Sequence, residues 1–292
     1  MKRIFISVLF LFAFASLFAQ QLPYRYEELT APDFVKAVEK SAKTCIIPIG
    51  VFEKHGPQLP LGTDLYESRE YALRAAAKEY AVVFPWYYFS QINEAKHQPG
   101  TIAYSPELIW KILQETLNEL SRNGFEKIII VNGHGGNNAF LNFFGMAQLS
   151  ERRNYSLYWF QPSDDAAVTK KVEELTMQDK LDAHAGNSES SEMSAIQPGI
   201  VHLDRAGSQS GADQDRLRNL PNVYTGIWWY AKFPNHYSGD GSKANAQAGE
   251  LLINSTVSQL VKVIQAVKKD ETVPALQKQF FDESDNPLKT RQ

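Results

Sequence analysis

A chain of 292 residues, 43% of them hydrophobic, is long enough to form one large domain with a full core. Its formal charge of −3 argues against a nucleic-acid binder and a polybasic membrane binder. One cysteine excludes an intramolecular disulfide, and Cys45 lies inside an apolar run, where a free thiol serves as buried filler rather than as a nucleophile.

Lys2 and Arg3 precede the apolar run Ile4–Phe18, and Ala19 precedes Gln20, a pattern that predicts a secretory signal peptide over residues 1–19. The mature chain is then exported, to the periplasm or the medium. The run is shorter than the about 20 residues needed to span a bilayer, so stable membrane insertion is not expected. Residues 20–292 contain no repeat, low-complexity tract or linker and read as one domain.

Between Gln21 and Ala42, the apolar residues Phe34, Val35 and Val38 follow Pro32, which predicts a short amphipathic helix. Cys45–Ile49 is apolar, β-branched and bounded by Gly50, as in a strand buried on both faces of a parallel sheet. It runs into E-K-H-G-P-Q-L-P-L-G-T-D at 53–64. Glu53 and His55 stand two residues apart, so an extended backbone sends both side chains to one side. The prolines and glycines that follow make a stiff turn that returns Asp64. Carboxylate plus imidazole is a mixture that zinc, manganese and iron accept, so the loop reads as half of a metal site. The competing reading is a surface loop that happens to hold three polar residues.

A helix is predicted over Leu65–Tyr80 and a short strand over Ala81–Pro85. A loop with His97 covers Asn93–Thr101. Ser105 and Pro106 begin an amphipathic helix that stops before Gly124. Lys127–Val131 is the clearest buried strand and ends in N-G-H-G-G-N at 132–137, followed by a helix from about 138 to 150. A fourth strand at Tyr155–Phe160 and a helix at Ala167–Met177 continue the alternation. Such alternation implies βαβ units: an α/β, three-layer αβα fold with a mostly parallel sheet. All strands then end on one edge, where ligands bind, and His134 arrives beside Glu53 and His55.

Asp182–Glu192 and Leu203–Tyr237 lack periodicity and read as loops; loops this long tend to be functional. Trp228, Trp229 and Tyr230 are expected to be partly buried, over a pocket or against a neighbouring subunit. His236 is left unassigned. A long amphipathic helix is predicted at about 243–268, and the tail from Asp270 is polar and peripheral.

Five segments together resemble the creatininase (creatinine amidohydrolase) family: 53–64, H-Q-P-G-T at 97–101, N-G-H-G-G-N at 132–137, H-A-G-N-S-E-S-S at 184–191 and S-G-D-G at 238–241. They span most of the mature chain in the family's order. The resemblance implies an αβα fold with two divalent ions, zinc, manganese or iron, that hydrolyses C–N bonds in small cyclic or linear amides. Carried over by residue, Glu53, His55, Asp64, His134 and Glu189 fall on metal-ligand positions, with Asp64 bridging. His184 falls on the motif histidine near the substrate, and a homo-oligomer, such as a hexamer, is implied; His97, beside Gly100-Thr101, is the candidate to line the pocket, with a structural loop histidine the equal alternative. This sequence departs from creatininases proper at Gly135-Gly136, where a Tyr-Glu pair stands and its glutamate is a ligand. It departs again at Gln58, in place of a common histidine, and at Asn187, in place of a frequent glutamate.

Two divalent ions carry four positive charges, and Glu53, Asp64, Glu189 and a bridging hydroxide supply four negative ones, a balance that a buried centre requires. Such ions generate a nucleophile from water at neutral pH, while His184 can protonate the leaving nitrogen. The departures at Gln58 and Asn187, with the export signal, motivate a second hypothesis: an exported small-molecule binder that keeps the fold without turnover. No G-x-S-x-G elbow supports a serine hydrolase.

Overall fold

Four parallel strands form one sheet in the order β2-β1-β3-β4: β1 (Thr44–Ile49), β2 (Val82–Val83), β3 (Lys127–Asn132) and β4 (Ser156–Phe160). The computed structural model describes residues 22–178 and 182–291, so the expected signal peptide lies outside the described residues. The second strand is shorter than the sequence suggests, two residues rather than five. Among the described residues no helix is long and apolar enough to cross a membrane.

Both faces of β1 are buried, which explains its unbroken apolar run. Ile47 and Ile49 face one side with Ile128 and Ile130, under α1 (Ala31–Lys40), α3 (Pro106–Arg122) and α4 (Asn138–Ala147). Ile46, Ile129 and Val131 face the other side, under α2 (Thr63–Lys78) and α8 (Ala246–Lys269). Alternate residues of one strand therefore feed two cores, and three layers result. Cys45 is free and buried in the first core, as expected for filler. Helix starts follow their caps: Thr30 and Ser105 accept the backbone N–H of Asp33 and Leu108, each with a proline in the first turn.

The helix α5 (Ala166–Thr176) agrees with expectation, but α6 (Asn187–Ile196) replaces what reads as a loop. Its buried positions are Asn187, Ser190, Ser191, Glu192 and Met193, and with Met193 alone apolar they leave no apolar period to detect. Small residues are what the packing needs, because α8 crosses close at Gly249: a Cβ there would lie 2.0 Å from the Ser191 carbonyl oxygen. The long segment before α8 contains a 3-10 turn at Leu203–Ser208 and the short helix α7 (Trp228–Lys232). The tail is peripheral, as its polarity suggests, and helical. It forms α9 (Thr272–Ser284), which buries Phe281 and sets Arg152 over that ring at 5.3 Å.

Gly249→Ala is expected to force α6 and α8 apart and to cost about 1–3 kcal/mol, the usual penalty of overpacking. Urea unfolding of the variant against the unaltered chain checks this; an unchanged midpoint would mean that the helices are not held at this distance.

Candidate metal centre

The carboxyl edge of the sheet gathers the charged residues. Strand β1 ends at Ile49, and the loop behind it carries Glu53 and His55, both fully buried. The next strand, β3, ends at Asn132, two residues before His134. Asp64 lies in the first turn of α2, where a helix N-terminus favours a carboxylate. Two glycines make this seat possible: a Cβ at Gly50 would lie 2.8 Å from the Asp64 Cβ, and one at Gly133 would lie 2.3 Å from the Asp64 carbonyl oxygen. Neither strand end could carry a side chain without expelling the turn.

Asp64 spans two histidines. Its Oδ1 lies 2.8 Å from His55 Nε2 and its Oδ2 lies 3.4 Å from His134 Nδ1, while Oδ2 also accepts the Val51 N–H at 3.3 Å. Glu53 Oε1 lies 2.7 Å from His134 Nδ1 and 3.9 Å from His55 Nε2, yet accepts no hydrogen bond. His184 stacks on His55 with ring centroids 4.4 Å apart. Glu189 stands at the rim, its Oε2 taking the Ala185 N–H and lying 3.9 Å from both His55 Nε2 and His184 Nδ1.

Backbone carbonyls, which can only accept, assign the ring nitrogens. His55 Nδ1–H donates to the Glu53 carbonyl at 3.2 Å, so Nε2 faces the cluster. His184 Nε2–H donates to the Lys54 carbonyl at 2.9 Å, which leaves Nδ1 on the Glu189 side.

The structure adds a residue to the site that sequence left unassigned. His236 is buried, and its Nδ1 accepts the Trp229 indole N–H at 2.9 Å; its Nε2–H therefore donates to Glu53 Oε2. Burial pushes this imidazole down to about 4, so it stays neutral and holds Glu53 by a hydrogen bond. His236 comes from a segment without periodicity, and its left-handed backbone (φ 51°) is not a signal that sequence displays.

His97 corrects the expectation in the other direction. It is exposed, its Nε2 contacts the Pro234 carbonyl at 3.0 Å, and its ring meets Tyr230 edge-on, so it supports the 228–237 segment and does not line the cavity. Gln58 and Asn187 do not line it either. Gln58 is buried and donates to the Ala185 carbonyl at 2.5 Å and to Ser190 Oγ at 3.1 Å, while Asn187 donates to Thr176 Oγ1 at 2.7 Å. Both departures thus act in packing the H-A-G loop.

The cavity in front of the cluster measures about 290 Å³ and is walled by Trp228, Trp229 and His236 opposite Gly133, Gly135 and Gly136. A larger groove of about 670 Å³ opens at the opposite, amino-terminal edge, among Lys43, Lys127 and Arg152, far from these histidines.

Without a cation the cluster balances itself with protons. Burial would raise the Glu53 carboxyl, but His134 and His184 outweigh it and hold the group well below its usual range. Burial likewise opposes charge on His55, yet Asp64 pulls it up to about 10, and Glu53 raises His134 well above its usual value. Behind the cluster burial pushes the Glu67 carboxyl well above its usual range and the Glu192 carboxyl up to about 8, so burial opposes anionic charge at this pair. The ligand-type atoms form two overlapping groups, Glu53–His55–His184 and Glu53–Asp64–His134, each with its atoms within 4.8 Å of one another. Buried carboxylates and imidazoles that converge this way, with Glu53 Oε1 left without a hydrogen bond, fit divalent cations.

A parallel αβα fold with a histidine–carboxylate cluster at its carboxyl edge defines the class, an α/β protein with a candidate metal centre where such sheets bind ligands. The chain belongs to the creatininase family: the family model for creatinine amidohydrolase matches residues 27–264. It is 26% identical over 192 residues to the creatinine amidohydrolase of Pseudomonas putida, covering 61% of this chain and 74% of that one. It is 30% identical over 165 residues to a mycofactocin precursor peptide peptidase of Mycolicibacterium smegmatis, covering 54% and 60%. A manganese form of creatininase shares the fold with a TM-score of 0.71 at 20% identity, covering 85% of this chain and 99% of that one. A zinc–zinc form of a creatininase variant has the same TM-score and coverage.

Metal ligation needs deprotonated imidazole, so cations must displace the protons that His55 and His134 carry in the metal-free protein. Zinc binding is therefore expected to release protons and to weaken as pH falls from 8 to 6. Calorimetry in buffers of different ionisation enthalpy reads this directly; a binding heat independent of buffer would show that these rings are not ligands.

Proposed function

We propose that this chain is an exported amidohydrolase that uses two divalent ions to cleave a C–N bond in a small cyclic or linear amide. One observation carries the proposal: two ligand groups share Glu53, are buried, and open onto a single small cavity. The names of the two relatives, one for creatinine and one for a peptide precursor, both describe amide hydrolysis, which supports the bond class while leaving the substrate open. Gly135 and Gly136 argue against assuming creatinine, because they remove side chains from the cavity wall.

Glu53, His55, Asp64 and His134 would hold the ions, with Glu189 completing the rim. Divalent ions bound there lower the pKa of coordinated water and polarise a carbonyl oxygen. The protein supplies the rest. Trp228 and Trp229 keep bulk water from the amide, and low local polarity strengthens each charge interaction. Asp64, spanning two histidines, keeps both groups in register. His184, with Nε2 committed to the Lys54 carbonyl, has Nδ1 available to carry a proton to the leaving nitrogen.

The metal-loaded protein is expected to hydrolyse at least one member of a panel of cyclic amides, formamides and short peptides, and to lose that activity on chelation. Failure to bind zinc, manganese or iron stoichiometrically would end the proposal. Asp64→Ala should lose both ions, since it leaves both histidines without their shared carboxylate. His184→Ala should retain both and lose rate by about 10²–10⁴-fold, the usual contribution of general acid catalysis. Metal analysis alongside turnover separates the roles: a His184→Ala protein short of an ion would make His184 a ligand rather than the acid.

A further inference from the structure

His134 has one nitrogen that the cluster does not use. Its Nδ1 faces Glu53 and Asp64, whereas its Nε2 is buried and has no hydrogen-bond partner. The carboxylate nearest that nitrogen is Glu94, whose Oε1 stands 3.6 Å away. Glu94 comes from a 3-10 turn at Asn93–Ala95, an element separate from those that carry the other acidic residues of the cluster. Both of its oxygens are held from behind by Gln91 Nε2, at 2.9 and 3.1 Å, and the same amide also donates to the Gly136 carbonyl at 3.2 Å. Gly136 leaves the gap between Glu94 and His134 open: a Cβ there would lie 2.2 Å from Glu94 Oε1 and 2.3 Å from His134 Nε2.

We propose that Glu94 is a positioning residue of the metal centre, the outer carboxylate toward which His134 Nε2–H donates and which so leaves Nδ1 facing the cation. The assignment rests on the metal-centre reading above and extends it to a residue outside both ligand groups. A ring nitrogen buried without an acceptor is costly, and Glu94 is held where it relieves that cost. Once Nε2 keeps the proton, Nδ1 has its lone pair free for a cation, and the charge behind the ring makes that nitrogen more basic. Glycine at 136 is then required, since any side chain would enter between the imidazole and its carboxylate. Gln91 completes the arrangement by holding both oxygens of Glu94, which lines the cavity beside His134.

The test measures zinc affinity by competition with a chromophoric chelator, and the visible spectrum of the cobalt-loaded protein, on the full mature chain. Glu94→Gln is expected to weaken the ion at His134 by about 10–100-fold, the usual cost of losing an outer partner, to leave the other ion unchanged and to shift the cobalt spectrum. Gln91→Leu, which frees Glu94 without removing its charge, should weaken the same ion by less and provides the test if the first variant does not fold. Wild-type affinity in Glu94→Gln would overturn the proposal, as would a loss shared equally by both ions. A loss as complete as that of Asp64→Ala would also overturn it, since Glu94 would then coordinate directly. An unaltered chain that binds no zinc refutes the metal-centre reading itself, a result distinct from any difference between variant and parent.

Discussion

The site depends on how closely the first turn of α2 approaches the sheet. Asp64 can lie between the two histidines only because Gly50 and Gly133, at the ends of neighbouring parallel strands, present no Cβ to that turn. The pairing of β1 with β3 sets the two glycines side by side, since Ile49 is in register with Asn132. Sheet register, helix approach and carboxylate position are thus one constraint. The helix N-terminus and the Val51 N–H stabilise the charge once it is there.

A second layer of control lies in the nitrogens that do not face the cluster. His55 and His184 each donate to a carbonyl of the same short loop, at Glu53 and Lys54, so one stretch of backbone sets both tautomers. Trp229 does the same for His236 from the opposite wall, and through it orients Glu53. Histidine orientation is fixed in each case by a partner that can play only one hydrogen-bonding role, an economical way to preorganise a site.

The residues that depart from the creatininase pattern also find a physical place. Gln58 ties the loop after β1 to the H-A-G turn by bonding the Ala185 carbonyl, a job that requires a donor and not a charge. Asn187 anchors α6 to the end of α5 through Thr176. Serine-rich α6 and glycine in α8 allow two helices to meet at backbone distance beneath the rim, which brings Glu189 to the cavity.

The amino-acid sequence by itself determined the layers and most of the residues gathered at the candidate site. The unbroken apolar runs of β1 and β3, the caps of α1 and α3, and the apolar stripe of α8 are local signals that read directly as an αβα fold, and topology then brings the strand-end residues Glu53, His55 and His134 to one edge. Helix α6 was hidden because its buried positions are polar apart from Met193 and carry no hydrophobic period, and α9 because only Phe281 of its face is deeply buried. His236, Glu94 and the exclusion of His97 from the cavity were decided by tertiary structure alone. Each depends on where an irregular segment crosses the sheet edge, and irregular backbone is set by side-chain hydrogen bonds to distant residues, such as Trp229 on His236 and Gln91 on Glu94, that no spacing along the chain encodes.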